Sequence, residues 1–199
     1  MISIRESTAA DGPAIAQVRR ASWQAAYAGI IKQSLIDQAT ARPAGVSPPA
    51  PWRRTLVAVP DGSPQAPGVP TVVGYASLGP ERALPAFPPG PSRVADPAAA
   101  RRRPAVPSLT EAGHAGQVGE VYALYVIPDW WATGTGRSLM SCAVATLSEA
   151  GYQQAVLWVL AANDRARRFY EKAGWLPDGA SNVLTGLGSV IEVRYGRPL

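Results

Sequence analysis

The sequence predicts a mixed α/β fold organised around residues 118–175, and three observations carry this prediction. An apolar run that ends at Pro128 is followed by a turn of small residues, 131–136. Apolar residues at helical spacing follow this turn. A second apolar run, 155–160, then leads into a helix that Asn163 opens. Strand, small-residue turn, helix, strand and capped helix in this order are typical of a ligand-binding α/β domain.

The composition bounds the class of protein. A chain of 199 residues with 47% hydrophobic and 17% charged residues is typical of one globular domain. No apolar run reaches the roughly 18–20 residues of a membrane-spanning helix, and the first residues lack the pattern of a signal peptide. The single cysteine, Cys142, excludes a disulfide within the chain and fits a reducing compartment. We therefore expect a cytoplasmic protein without a membrane partner.

The net charge of +5 is compatible with an anionic small molecule or with nucleic acid. The basic residues are scattered, apart from the run 101–103 and the group Arg165, Arg167 and Arg168. A nucleic-acid-binding face predicts an extended basic stripe interleaved with aromatic residues, which this sequence does not contain. We therefore expect no nucleic-acid partner.

The first half of the chain predicts three strands and two helices. Asp11 is a plausible N-cap and Pro13 belongs in a first turn, so a helix is expected to start at residue 12. The second and third strands are expected to be antiparallel. The predicted elements are strand 2–6, helix 12–27, helix 34–38, strand 55–59 and strand 72–78.

Residues 79–117 differ in character from the rest of the chain. They are rich in proline, alanine and arginine with little apolar periodicity, which predicts a flexible insertion or a lid. His114 lies in this segment and is expected to be a surface residue. Two more strands, 181–185 and 190–195, follow the helix after residue 163. The chain is thus expected to be a single domain over 1–199, with helices on both faces of a sheet.

The turn before the third helix has the chemistry of an anion site. Gly134 and Gly136 carry no Cβ atom, so a ligand can approach their backbone closely. A helix that begins here directs its unpaired N–H groups at the turn, which suits a pyrophosphate, and Arg137 adds charge. The turn matches neither the nucleoside-triphosphate loop nor the dinucleotide pattern. Cys142 has no second ligand at metal spacing, so no metal is expected.

The helix after residue 163 presents two polar side chains on one face. Asn163 is a good N-cap, and Tyr170 follows it two helical turns later. Gly174 is a natural stop for this helix.

With these residues in place, the stretch 118–175 resembles the acetyl-CoA-binding core of the GNAT (Gcn5-related N-acetyltransferase) superfamily. The matching segments are 124–128, 134–140 and 163–175, of which the last is similar to the family's Asn-x-x-Ala-x-x-Phe-Tyr-Glu-Lys-x-Gly-Phe signature. The resemblance covers nearly the whole chain apart from the insertion. It implies a mostly antiparallel mixed sheet with helices on both faces and acetyl-CoA held between splayed central strands.

The resemblance also implies direct transfer of an acetyl group from acetyl-CoA to a primary amine. Tyr170 is then expected to contact the cofactor and to protonate the departing thiolate, and Asn163 to contact the cofactor. The strand backbone that pairs with the pantetheine arm is expected at Leu124, Tyr125 and Val126. The pyrophosphate is expected on the turn made of Trp131, Ala132, Thr133, Gly134, Thr135, Gly136 and Arg137.

The acceptor amine must lose a proton, because an alkylamine with a pKa of about 10 is mostly charged at neutral pH. A carboxylate with a raised pKa can take this proton. Glu120 is the predicted base, since its place at the start of the central strand resembles that of the family's general base. The alternative is a solvent-facing carboxylate at the end of a strand.

Two residues of the turn depart from the family's pattern. Trp131 and Ala132 stand where the family usually has Gln or Arg and then often Gly. The first change removes a polar side chain that could contact phosphate, and the second adds a methyl group to the loop. Cofactor affinity is therefore the property these changes affect. Trp130 is expected to pack on the sheet.

The acceptor is expected to be a small amine bound among aromatic side chains. The alternatives are a protein N-terminal or lysine acetyltransferase and a non-catalytic CoA-binding regulatory module. A homodimer is compatible with the sequence. The candidates for the acceptor pocket are Trp23, Tyr27, Trp52, Tyr75 and Tyr122.

Overall fold

The computed structural model describes residues 1–41, 52–61, 71–82 and 118–199. Most of the predicted insertion, with His114, lies outside the described residues. The helices are α1 (Gly12–Ala26), α2 (Gln33–Ala41), α3 (Thr135–Glu149) and α4 (Asp164–Lys172). The strands are β1 (Ile2–Glu6), β2 (Arg54–Pro60), β3 (Gly74–Pro80), β4 (Val118–Val126), β5 (Gln154–Leu160), β6 (Leu176–Leu184) and β7 (Val190–Pro198).

Within the described residues the strands form one seven-stranded sheet in the order β1-β2-β3-β4-β5-β7-β6. All neighbouring strands are antiparallel except β4 and β5, which are parallel and joined by the crossover helix α3. The predicted mixed, mostly antiparallel sheet is confirmed.

The parallel pair of strands separates half-way along its length. The register of β4 and β5 runs from Val118 opposite Gln154 to Val121 opposite Leu157, and the described residues beyond these points do not pair. β4 continues along β3, and β5 continues along β7. A β-bulge places Tyr122 as an extra residue in β4 where the two strands part. The result is a gap between two strands that are each held by an outer neighbour.

Helices cover both faces of the sheet, as the sequence predicts. Side chains alternate along β4, so that Leu124 and Val126 pack in the main core while Tyr125 faces a smaller core beneath α1. In this smaller core Val18 of α1 packs against Val57, Val72 and Tyr75. The main core receives its helical contribution from Leu139, Met140, Ala143 and Leu147 of α3 and Tyr170 of α4.

The element boundaries differ from the predictions where long-range pairing decides them. β3 ends at Pro80 rather than at residue 78, because Gly79 and Pro80 pair with β4. The first residues of the predicted insertion therefore belong to the sheet. β6 begins at Leu176 instead of residue 181, with an irregularity in its pairing between Pro177 and Ser181.

The helices begin and end close to the predicted residues. α1 lacks only the last residue of its predicted range, whereas α2 is longer than the predicted 34–38. α3 starts at Thr135, directly after Gly134. The left-handed backbone of Gly134 ends the turn, and the helix begins at the next residue. In the described part of the chain we find no helix with the length and apolar character needed to cross a membrane.

Candidate functional site

The gap between β4 and β5 leads into two cavities that share a wall. The larger has a volume of about 940 Å³ and lies between the turn at 131–136, α3 and α4. The smaller, about 260 Å³, lies toward α1 and the adjoining ends of β5 and β7. The shared wall consists of Leu124, Val126, Trp131, Arg165, Ala166 and Tyr170. The two cavities therefore adjoin each other near the point where the strands separate.

The turn at the mouth of α3 is shaped by two residues with a left-handed backbone. Ala132 has a φ of 62° and Gly134 a φ of 94°. No atom lies within 4 Å of the position that a Cβ atom would take at Gly134, so glycine is required there by the backbone angle. The Thr133 hydroxyl donates to the carbonyl oxygen of Trp130 at 2.8 Å and holds the turn closed. Gly134, Gly136 and Arg137 line the larger cavity, so the first turn of α3, whose N–H groups have no partner within the helix, borders it.

Ala132 is expected to carry strain, because an L-residue with a Cβ atom loses roughly 1–2 kcal/mol in the left-handed region. Ala132→Gly should raise the free energy of unfolding by about 0.5–1 kcal/mol after the greater chain entropy of glycine is subtracted. For a domain of this size the gain corresponds to roughly 1–4 °C in Tm, measurable by calorimetry. Ala150, at the end of α3, has a φ of −76° and provides the control, because Ala150→Gly should lower Tm. A lower Tm for both variants would contradict the prediction.

The charged side chains on the larger cavity are all of one sign. The described residues that line it include Arg137, Arg165, Lys172 and Arg197 but no acidic side chain. Met140, Val144 and Phe169 supply an apolar floor beside these cations. Helix N–H groups, several cations and an apolar surface fit a ligand that joins phosphates to an apolar arm. Arg137 and the turn were expected in this role, whereas the other three cations were not predicted.

Trp131 and Arg165 stack on each other in the shared wall. The Trp131 Nε1 donates to the carbonyl oxygen of Val126 at 2.6 Å, and the Ser22 hydroxyl donates to the same oxygen at 2.9 Å. The guanidinium carbon of Arg165 lies 3.1 Å from the centroid of the Trp131 ring. Burial lowers the pKa of Arg165. Trp131 therefore contacts the strand that was expected to pair with a ligand, which the sequence did not indicate. Trp130 packs against the main core, as expected.

Asn163 and Tyr170 lie on the same side of α4, as their spacing predicts. The Asn163 Oδ1 accepts a hydrogen bond from the backbone N–H of Ala166 at 3.1 Å and so caps the helix. Its side chain lines the smaller cavity, while that of Tyr170 lines both. Tyr170 is 9% exposed, and burial raises its pKa. The Tyr170 hydroxyl thus stays protonated at neutral pH and can act as a proton donor.

The other residues predicted to bind a cofactor divide between the two cavities. Tyr125 lines the smaller one. Ala132, Gly134, Gly136 and Arg137 line the larger one. Thr133 and Thr135 line neither cavity. Their hydroxyl groups share a hydrogen bond, with 2.8 Å between the two oxygens. Their role is to shape the turn.

Glu120 is completely buried and engaged by a neighbouring cation. The backbone N–H of Arg82 donates to Glu120 Oε2 at 2.9 Å, and the Arg82 Nε donates to Oε1 at 3.1 Å. The Arg82 Nη2 also donates to Oε1. Glu120 lines neither cavity, although Arg82 lines the smaller one. The assignment of Glu120 as a general base stays a prediction, and the geometry shows it as the anchor of Arg82.

A different carboxylate, Glu192 of β7, lines the smaller cavity. It is half-buried and lies opposite Leu160, the last residue of β5. Burial raises the pKa of Glu192 above the ordinary value for a glutamate. Sequence reasoning missed this residue. The available signal was a charged residue within the apolar run of the last predicted strand, 190–195.

Aromatic side chains make up much of the smaller cavity. Of the predicted acceptor residues, Trp23, Tyr27 and Tyr122 line it. The Trp23 and Tyr27 rings pack edge to face with centroids 5.1 Å apart. Tyr75 lies outside both cavities, because alternation along β3 directs it into the core beneath α1. Trp52 is half exposed and packs against Tyr122 with ring centroids 6.4 Å apart.

Comparison with known proteins agrees with the fold. The sequence matches the model of the acetyltransferase (GNAT) family over residues 47–175, more than half of the chain. The chain belongs to this family. The predicted family is therefore confirmed, and the prediction of an acyltransferase is confirmed at the level of the family.

Individual acetyltransferases resemble the chain in part or in fold. A mycothiol acetyltransferase from Propionibacterium freudenreichii subsp. shermanii is 40% identical over 57 residues, which are 29% of this chain and 18% of the relative. One from Thermobispora bispora is 41% identical over 63 residues, 32% of this chain and 21% of the relative. The chain thus aligns with about a fifth of these proteins. The PaiA N-acetyltransferase from Thermoplasma acidophilum, in complex with coenzyme A, shares the fold with a TM-score of 0.63 at 19% identity over 98% of each chain.

Proposed function

We propose that this GNAT protein is an acetyl-CoA-dependent N-acetyltransferase that acts on a primary amine of a small molecule by direct transfer. The observation that carries the proposal is the pair of cavities joined through Tyr170. The larger has the charge and shape for a phosphate-bearing cofactor, and the smaller has aromatic walls and a carboxylate. A protonated tyrosine at their junction is placed for the reaction that links the two.

The residues around the larger cavity fit acetyl-CoA. The turn at 131–136 and Arg137 would hold the pyrophosphate, and Arg165, Lys172 and Arg197 would add positive charge for the remaining phosphate. The backbone of Leu124 and Tyr125, free of β5, would pair with the pantetheine arm. When bound, acetyl-CoA supplies an acetyl group that the thioester has already activated.

The chain's own groups then position the amine and move protons. Holding an amine next to an activated acyl group supplies much of the rate enhancement, because the two reactants no longer have to meet from solution. Tyr170 would donate a proton to the thiolate sulfur as it leaves. The Tyr170 hydroxyl is protonated at neutral pH, as an ordinary tyrosine is, and the raised pKa of the buried group means that the phenolate readily takes a proton back.

The smaller cavity supports a small acceptor over a protein chain. Its volume of about 260 Å³ lies just below the range of roughly 300–1,000 Å³ typical of pockets for small ligands. Trp23 and Tyr27 can contact an amine through the electron-rich faces of their rings. The names of two curated relatives refer to mycothiol and not to a protein.

Two experiments test the proposal. Calorimetry measures the binding of acetyl-CoA, and an assay of thiol release then compares small primary amines with peptides as acceptors. We expect saturable binding of acetyl-CoA and turnover with small amines. The variant Asn163→Ala/Gly134→Asp should lose the binding. No binding by the folded wild-type chain would sink the proposal. Turnover of peptides alone would identify a protein acetyltransferase, and binding without any turnover a CoA-binding regulatory module.

A further inference from the structure

The carboxylate that lines the acceptor cavity is Glu192, while the predicted base, Glu120, is buried behind Arg82. We infer that Glu192 receives the ammonium group of the acceptor and takes its proton. This inference rests on the proposed function and adds a residue to it. It applies to acceptors that are charged in solution, because only these have to lose a proton before they can react.

The position of Glu192 follows from the strand register. β7 pairs with β5 along its length, and Glu192 lies opposite Leu160, at the end of β5 that has separated from β4. Strand β7 thereby places a carboxylate at the open end of the gap. Asn182 of the neighbouring strand β6 donates its Nδ2 to Glu192 Oε1 at 3.0 Å, which orients the carboxylate.

Burial has the largest influence on the pKa of Glu192. Burial raises its pKa, the hydrogen bond from Asn182 and the positive charge of Arg82 lower it, and the charge of Glu120 raises it. Tyr125 and Arg165 line the same cavity. A base with a pKa raised toward neutrality is better matched to an ammonium than an ordinary, more acidic glutamate.

Glu120 has a different task in this arrangement. It accepts hydrogen bonds from three donor groups of Arg82, the backbone N–H, Nε and Nη2. The Arg82 guanidinium carbon lies 4.8 Å from the centroid of the Tyr122 ring. These charge-assisted bonds occupy both oxygens of the Glu120 carboxylate. We therefore treat Glu120 as a positioning residue that fixes Arg82 and Tyr122 on the wall of the cavity.

The protons balance in a single turnover. The ammonium gives one proton to Glu192, and the free nitrogen lone pair forms the C–N bond to the acetyl carbonyl carbon. The C–S bond breaks, and the thiolate takes the Tyr170 proton. The nitrogen returns a second proton to the Tyr170 phenolate and keeps the third in the amide. Glu192 releases its proton to solvent.

A pair of acceptors tests the role of Glu192. Benzylamine is charged at neutral pH and needs a base, whereas aniline is already uncharged. With acetyl-CoA at saturation, Glu192→Gln is expected to lower kcat/KM for benzylamine by about 10²–10⁴ at pH 7 and to affect aniline much less. The deficit with benzylamine should shrink from about pH 7 to about pH 10, where the amine loses its proton unaided. Binding of acetyl-CoA to this variant should match the wild type.

The control is Glu81→Gln. Burial also raises the pKa of Glu81, but Glu81 pairs with Arg194 at 2.8 Å and lines neither cavity. The Glu81→Gln variant should leave the ratio of kcat/KM for benzylamine to kcat/KM for aniline unchanged. Glu120→Gln, in contrast, should lower kcat/KM for benzylamine and for aniline to a similar extent.

The outcomes separate this inference from the proposed function. Glu192 is not the base if Glu192→Gln keeps the wild-type dependence of kcat/KM on pH, or if it loses activity toward both amines equally at every pH. In either case the proposed acetyltransferase activity is unaffected. A selective loss of activity toward benzylamine in Glu120→Gln would assign the role of general base to Glu120. If the wild type acetylates neither these two amines nor any other small amine, the proposed small-molecule function fails and this inference fails with it.

Discussion

Replacing Tyr170 by phenylalanine is expected to lower kcat for acetyl transfer by about 10²–10⁴, the usual contribution of a positioned general acid. Tyr170 lines both cavities, and its hydroxyl is protonated at neutral pH because burial raises a pKa that already lies well above 7. Phenylalanine keeps the ring and removes the proton that the leaving thiolate needs. The affinity for acetyl-CoA, measured by calorimetry, should change little, so the loss should be in kcat.

Tyr152→Phe is the matched control for this change. Tyr152 packs against the main core and lines neither cavity, so the loss of its hydroxyl should leave kcat unaltered. Tyr170 would be excluded as the proton donor if Tyr170→Phe kept wild-type kcat. A fall in cofactor affinity alone would assign Tyr170 to binding.

Introducing an acid at the turn is expected to have a comparable effect on binding. Gly134→Asp should weaken acetyl-CoA binding by at least about 100-fold, because a carboxylate about 4 Å from one phosphate charge costs about 4 kcal/mol at an effective dielectric constant of 20. The change also forces a side chain into a backbone with a φ of 94°. Isothermal titration measures the affinity, and a thermal scan measures the accompanying loss of stability.

Gly151 lies beyond the other end of α3 and separates these two effects. Its φ is 89° and no atom lies within 4 Å of its Cβ position, which matches Gly134 in both respects. Gly151→Asp should therefore lose similar stability and retain acetyl-CoA binding. Equal loss of binding in the two variants would mean that backbone strain, and not charge at the turn, is responsible.

The sequence predicted the parts of this site that depend on local patterns. The turn with Gly134, the cap Asn163 and the face shared with Tyr170 are each determined within a few residues of chain, so spacing alone identifies them. The same holds for the apolar runs that became β4 and β5. These features also carry the family resemblance that the family model confirms.

The missed parts depend on contacts between distant segments. Glu192 reaches the acceptor cavity only because β7 pairs with β5 in a particular register. Arg82 engages Glu120 because β3 extends further than its apolar pattern suggests. Arg165 was visible as a charge in the first turn of α4, but its stacking on Trp131 joins two segments that no sequence pattern links.

The separation of β4 from β5 gives the sheet an edge in its interior. Sheet edges attract any extended segment with free backbone groups, which is why proteins shield them. The Trp131 indole, tied to the Val126 carbonyl oxygen, shields this one. An extended ligand arm that pairs with β4 would find this carbonyl oxygen already engaged by Trp131, the residue that departs from the family's pattern.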